Sequence, residues 1–292
     1  MKPQFVERFN DKGVSEAIGF MLIFGMVIAG IGLVTLYGYP LLLQQQVGAD
    51  EKIMEKNMIV LQNDVKSLAY KTVPFKETSL KIGGGSLAVY NSSYNPPSST
   101  IQINDGVVAS YLPPDFQVNN KFTPGDLRYE SVNAQTDISL QNGAVVLRPR
   151  INQGTIDGSV MLAEPRWFFD KKTNIMVINL IEFTSETIMS KEGIGTVQMS
   201  LTGEPYYNET IVPVNGNITI IYTPDPTQDY SVAWDNYIWN TWNVPQSYKT
   251  GGKSGGPPGT GATITYNFKN ADSLNRDMYL VIKIFKVNIR SI

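Results

Sequence analysis

The chain has 292 residues, a formal net charge of -2 at pH 7, and neither cysteine nor histidine. Disulfides and thiolate metal sites are thereby excluded, as are the usual general base near neutral pH and the commonest zinc ligand. There is also no long basic run to release counterions from nucleic acid. The expectation is a protein that is not an enzyme, with no cofactor, no metal and no nucleic-acid partner.

In chain order, the first element is an apolar helix. From Ala17 to Leu43 no residue is charged, and only Thr35, Tyr37 and Tyr39 carry polar side-chain groups. As a helix this stretch is roughly 40 Å long, against a hydrocarbon core of about 30 Å. Lys2, Arg8 and Lys12 precede it, with Glu7 and Asp11 among them, and Asp50 and Glu51 follow it. The positive-inside rule then puts the N-terminus in the cytoplasm and everything after Leu43 outside, with Tyr37 and Tyr39 at an outer aromatic belt. Three readings compete. The helix is a permanent anchor, or a secretory signal cut near Val47 and Ala49, although its apolar run is about twice the usual length. The third reading starts from the step Lys12-Gly13-Val14-Ser15-Glu16.

The stretch "DKGVSEAIGFMLIF" resembles the class III signal of archaeal type IV pilins and pilin-like proteins. The resemblance implies a prepilin-type peptidase cutting between Gly13 and Val14, removing residues 1–13 and leaving the apolar helix on the mature protein. It also implies pilus assembly machinery as a partner. The segments "GAVVLRPR", "VMLAEPRWFFD", "NIMVINLIEF" and "GIGTVQMSL" are similar to a group of uncharacterised archaeal surface proteins with a pilin-like N-terminus, a likeness covering most of the chain.

A carboxylate at mid-bilayer is penalised by about 2.5–3.5 kcal/mol, so Glu16 is expected at the inner interface, where water and the helix N-terminus reduce that cost. After cleavage it either meets the new Val14 amine of a neighbouring subunit and fixes axial register, or simply stays hydrated. Gly25, Ala29 and Gly32 share one helical face, and Ser15 and Gly19 another; such faces let helices approach closely in a bilayer or a filament core. Pro40 lacks a backbone donor and is expected to kink or loosen the helix after Gly38.

Beyond Gln44-Gln45-Gln46, Val47, Met54, Leu61 and Leu68 recur every seven residues, with Met58 and Val65 between them. That periodicity predicts an amphipathic stem helix whose apolar stripe packs on the chain's own outer domain, ending at Thr72-Val73-Pro74. From Pro74 the pattern becomes β. Predicted strands are Ser79–Ile82, Ser86–Tyr90, Thr100–Ile103, Gly106–Tyr111, Asp137–Leu140, Gly143–Arg148, Gly158–Glu164 and Ile175–Phe183. Gly195–Leu201, Thr210–Val214, Ile218–Tyr222, Ala262–Phe268 and Asp277–Ile289 complete the set. "QNG" (Gln141 to Gly143) and "VNG" (Val214 to Gly216) read as hairpin turns. "SSYNPPSST" (Ser92 to Thr100) reads as a surface loop, and the glycine-rich stretch from Thr250 to Ala262 as a flexible one.

Asn91, Asn208 and Asn217 each begin an acceptor sequon, which matters only outside the cell. In "DYSVAWDNYIWNTWNVP", Trp234, Ile238 and Trp242 fall at i, i+4 and i+8, so a short helix would bury them together; Trp239 lies off that stripe and is the candidate for an exposed contact. "GGGS" (Gly83 to Ser86) lacks the lysine of a phosphate loop and reads as a turn or bulge. Asp170, Glu182 and Asp235 would make a glycosidase-like pair only if folding brought them together. "PDPTQD" and "IND" offer oxygens but not the EF-hand pattern, and read as solvated loops.

The fold expected is α+β: a long N-terminal helix, transmembrane then amphipathic, followed by a mainly antiparallel β-sandwich. The segments are a leader (1–13), a membrane or pilin-core helix (14–43), a stem (44–73) and an extracellular domain (74–292). The function expected is a pilin-like surface protein, a subunit or minor component of a filament. Its partners would be membrane lipid, copies of itself through the N-terminal helix, and a glycan or other surface ligand. The alternative is a non-filamentous, membrane-anchored adhesin or glycan-binding module.

Overall fold

The structure is a computed structural model, described here for residues 11–71, 73–92, 99–105, 110–112, 121–150, 158–203, 205 and 207–292. It forms two compact units, Met1–Ala49 and Asp50–Ile292.

The first unit is helical. α1 runs Asp11–Leu33 and α2 runs Tyr39–Lys71, with a π-helical turn, Val34–Gly38, between them. The Tyr39 amide donates to Val34 O across that turn, a wider loop than the regular α bond. Pro40, in the first turn of α2, cannot donate, so the local loosening expected of it falls on the turn before it. Thr35 Oγ1 donates to Ile31 O at 2.8 Å, satisfying its own hydroxyl within the helix.

In the second unit, residues of α2 from Asp50 onward pack on a two-sheet domain. In chain order its strands are β1 (Phe75–Tyr90), β2 (Thr100–Asn104), β3 (Asp126–Ser131), β4 (Thr136–Gln141), β5 (Ala144–Pro149), β6 (Val160–Ala163) and β7 (Phe168–Asp170). β8 (Ile175–Thr184), β9 (Met189–Leu201), β10 (Tyr207–Ile211) and β11 (Asn217–Thr223) follow. After the short helix α3 (Ser231–Asp235) come β12 (Gly252–Gly255), β13 (Ile264–Lys269) and β14 (Tyr279–Ser291). The large sheet has the order β6-β5-β4-β3-β1-β9-β14-β8-β7, with β10 also on β14; the small sheet is β12-β13-β11-β2. Every pairing is antiparallel except that of β14 with β8.

Side-chain alternation along β14 shows why the large sheet lies in the middle. Leu280, Ile282 and Ile284 join the core shared with the small sheet, including Ile218, Ile220 and Tyr266. Phe285, Val287 and Ile289 point to the other face and join Met54, Met58, Leu61, Val65 and Leu68 of α2. The stem stripe therefore buries against the chain's own domain, as its period predicts, and α2 stops at Lys71.

Several expected strands shift. Ser79–Ile82 and Ser86–Tyr90 are one strand, β1, with the glycine run as a bulge between Ile82 and Leu87. At Gly85 a Cβ would stand 2.2 Å from Glu130 O, so only glycine lets β3 approach there. β12 arises inside the stretch expected to be flexible, because its backbone pairs with β13. "QNG" is the hairpin turn between β4 and β5, with Asn142 at φ 47° and Gly143 at φ 72°. "VNG" is a correction: it joins β10 to β11, which belong to different sheets, so it is a corner between layers. The expected strand Gly106–Tyr111 and loop Ser92–Thr100 lie mostly outside the described residues.

Candidate functional site

The N-terminal helix carries an apolar surface that the described residues do not bury. Every large apolar side chain from Ile18 to Leu43 is exposed, Phe20 at 69%, Met21 at 71% and Leu36 at 71% among them. It is long and apolar enough to cross a membrane, and none of its most apolar window is buried inside the chain. At about 1.5–3 kcal/mol for each large apolar side chain buried, leaving this surface in water would cost tens of kcal/mol.

Gly13 and Val14 lie in the first turns of α1, so the bond between them is in helical backbone. Glu16 is exposed near that end. Gly25, Ala29 and Gly32 are on the outside of the helix. A Cβ added at Gly19, Gly25, Gly30 or Gly32 would meet nothing within 4 Å. The small-residue face is open to another helix or to lipid.

The three sequon asparagines differ. Asn208 is exposed on β10, directly across from Lys283 of β14. Asn217 is half-buried at the start of β11. Asn91 departs from the exposed position expected of it: it is buried, and its Nδ2 donates to Ser185 O at 2.6 Å. The nitrogen that would carry a sugar is engaged within the fold, and the third residue of that sequon, Ser93, lies outside the described residues.

The aromatic segment is core. Trp234, Ile238 and Trp242 are buried together on α3 and the π-helical turn after it, and Trp234 stacks on Tyr222 with ring centroids 5.7 Å apart. Trp239 is only half-exposed. It leans on Tyr266 and Phe268 at 6.0 Å each, and Lys249 lies 5.4 Å over its ring while donating to its carbonyl. The outer candidate contact is thus largely part of the packing.

The carboxylates singled out in the sequence do not converge. Asp170 caps the turn after β7 through the Lys172 amide and Thr173 hydroxyl. Glu182 accepts from Ser92 and pairs with Lys286. Asp235 takes Lys253 and the Tyr266 hydroxyl. In "PDPTQD", Asp225 and Asp229 turn their oxygens onto the amides of Thr227, Ser231 and Gly261.

Sequence reasoning missed a buried ionic network on β3. Arg128 Nε donates to Asp126 at 2.9 Å, its Nη2 to Asp225 at 3.3 Å, and its guanidinium lies 4.3 Å over the Tyr90 ring. Burial opposes the charge, but Asp126, Tyr230 and Asp225 more than offset it, so the guanidinium is held firmly protonated. On β4, the fully buried Asp137 faces Arg150 at 2.8 Å and Arg148 at 3.7 Å; burial nonetheless pushes its carboxyl up to about 6. The available signal was the i, i+2 spacing of Asp126 and Arg128, which places them on one strand face.

Residues 12–248 match a family of unknown function (DUF7289), and the chain belongs to that family. The match takes in the apolar helix, the stem and the domain as far as Tyr248. No curated protein and no solved structure matches.

Proposed function

We propose that this chain is a pilin-like structural protein of the cell surface, a subunit or minor component of a filament of the archaeal type IV pilus kind. It displays its β-rich domain outside the cell. The observation that carries the reading is the exposed apolar helix: a family segment, long enough to span a bilayer, whose small-residue face has nothing within 4 Å of an added Cβ among the described residues. Lipid covers that surface before assembly, and sister helices cover it afterwards. Because lipid tails are as apolar as the helix, the exchange is driven by close packing at the glycines rather than by a hydrophobic gain.

In this reading a prepilin-type peptidase cuts the bond between Gly13 and Val14, and the new Val14 amine of one subunit meets Glu16 of the next. The outer domain makes contacts and carries out no catalysis. The test is Gly13→Ile in the native host. Blocked processing should leave the protein in the membrane with residues 1–13 attached and remove surface filaments containing it. Filaments in normal number would contradict the reading, and a wild-type protein that stays uncut and monomeric would make the chain a tethered binding module.

A further inference from the structure

A groove on the α2 side of the large sheet has a makeup that packing does not explain. It is a cavity of about 360 Å³ beside Tyr70 in the last turn of α2, floored by β8 and β14 and walled by Arg166 and the edge strand β7. Among the described residues its lining contains two cations, Arg166 and Lys283, and no carboxylate. Arg166 is exposed, with its guanidinium 4.6 Å over the Tyr70 ring. Its backbone carbonyl accepts from the Asn179 side-chain amide, and the Asn179 backbone carbonyl accepts the Trp167 indole N–H at 2.8 Å. Lys66, one turn back on α2, adds a third cation close enough to Arg166 for the two charges to oppose each other. Glu164 is the carboxylate whose charge reaches Lys66, and it does not line the groove.

Two further features point to an occupant. The Tyr70 hydroxyl is buried and has no hydrogen-bond partner among the described residues, an arrangement that costs free energy unless something accepts from it. Phe168, at the rim, keeps 41% of its surface exposed. A planar apolar wall beside concentrated positive charge and a free hydroxyl donor matches a sugar ring that carries a carboxylate: the ring stacks on the aromatic side chain, and the carboxylate takes the guanidinium. An acidic peptide would satisfy the cations but leave the aromatic wall without a flat partner.

We infer that the groove formed by Tyr70, Arg166, Phe168, Asn179 and Lys283 binds a uronate-type acidic sugar, with Arg166 and Lys283 holding the carboxylate and Phe168 the ring face. The inference rests on this groove alone and stands whether or not the chain forms filaments.

The test uses the full chain, produced without glycosylation and held in detergent micelles, titrated calorimetrically with tri-galacturonate, maltotriose and a tri-glutamate peptide. Tri-galacturonate should bind, weakening as salt is raised, and the other two should bind at least tenfold more weakly. Arg166→Ala and Lys283→Ala should each weaken tri-galacturonate about tenfold or more, the scale of one charge-assisted hydrogen bond. Tyr70→Phe should weaken it by a smaller factor. Unchanged melting temperatures would show that the variants remain folded; where one does not, the salt dependence and the tri-galacturonate-to-maltotriose ratio of the unaltered protein decide. Equal binding of maltotriose or tri-glutamate, no binding of tri-galacturonate, or folded Arg166 and Lys283 variants with unaltered affinity would each overturn the assignment.

Discussion

The Gln62 side-chain amide stands 2.7 Å from Gly143 O and 2.9 Å from Glu164 O, so one buried polar residue on the stem helix closes the hairpin turn between β4 and β5 against it. The turn is held from the other side as well, where Asn142 Oδ1 accepts the Ile181 amide at 2.9 Å. The apolar stripe of α2 supplies the adhesion, and Gln62 fixes which turn of the helix meets which turn of the sheet. Gln62→Leu keeps the bulk but leaves one buried and one part-buried carbonyl without this donor, at about 1–3 kcal/mol. Urea unfolding of the full chain in micelles should show that loss, and an unchanged midpoint would mean that Gln62 adds nothing to docking.

Gly143 makes the same junction sensitive to a single methyl group. Its φ of 72° is a left-handed conformation, and a Cβ there would stand 2.8 Å from Ile181 Cδ1. Gly143→Ala should therefore cost about 1–3 kcal/mol through strain and overpacking. Gly158→Ala is the control: a Cβ there meets nothing within 4 Å among the described residues, and its midpoint should not move.

The aromatic segment offers a clean contrast between core and surface. Trp234 is fully buried, so Trp234→Ala should cost about 3–5 kcal/mol and lower the melting temperature sharply. Trp239→Ala removes a half-exposed ring and should cost markedly less. Similar losses at the two positions would contradict the packing described.

Asp137 sets a pH dependence. Its carboxyl titrates near 6 in the folded protein and near 3.8 in the unfolded chain, because burial outweighs Arg150 and Arg148. Between those values the folded state holds a proton that the unfolded state has released, so this group makes stability fall as pH rises from about 4 to 6. The Asp272 carboxyl, held down to about 2 by its hydrogen bonds with Arg276, acts in the opposite sense and only below about pH 4. Unfolding midpoints measured across pH 4–7 should decline less steeply in Asp137→Asn; an identical slope would remove Asp137 from the account.

On the membrane helix, Ala29→Leu fills the small-residue face with a bulky side chain while keeping the helix apolar. Membrane retention should be unaffected, while cross-linking between copies and filament number should drop several-fold. Unchanged cross-linking would move self-association to another face.

What the sequence made legible was whatever repeats. The seven-residue recurrence from Met54 to Leu68 and the Trp234-Ile238-Trp242 spacing each led to buried side chains, because burial follows periodicity, and the apolar run led to a helix long and apolar enough to cross a membrane. β3 was hidden because Asp126, Arg128 and Glu130 leave it only Leu127 and Tyr129 as apolar residues; burial of Asp126 and Arg128 is made tolerable by partners as distant in sequence as Asp225. β12 was hidden because Gly252–Gly255 has almost no side chains to pattern, and only pairing with β13 makes it a strand. Asn91 looked like a surface sequon because no local signal announces that Ser185 takes its amide. The groove draws on α2, the segment before β7, β8 and β14, and no spacing brings Tyr70, Arg166 and Lys283 together before the chain folds.

The most direct measurement of the central claim is the N-terminal residue of the protein taken from its native membrane or filaments, read by intact mass and terminal sequencing. The account predicts a chain that starts at Val14, with the apolar helix retained and its small-residue face available to neighbouring subunits. A chain that still starts at Met1, or one cut near Asp50 and lacking the helix, would contradict it.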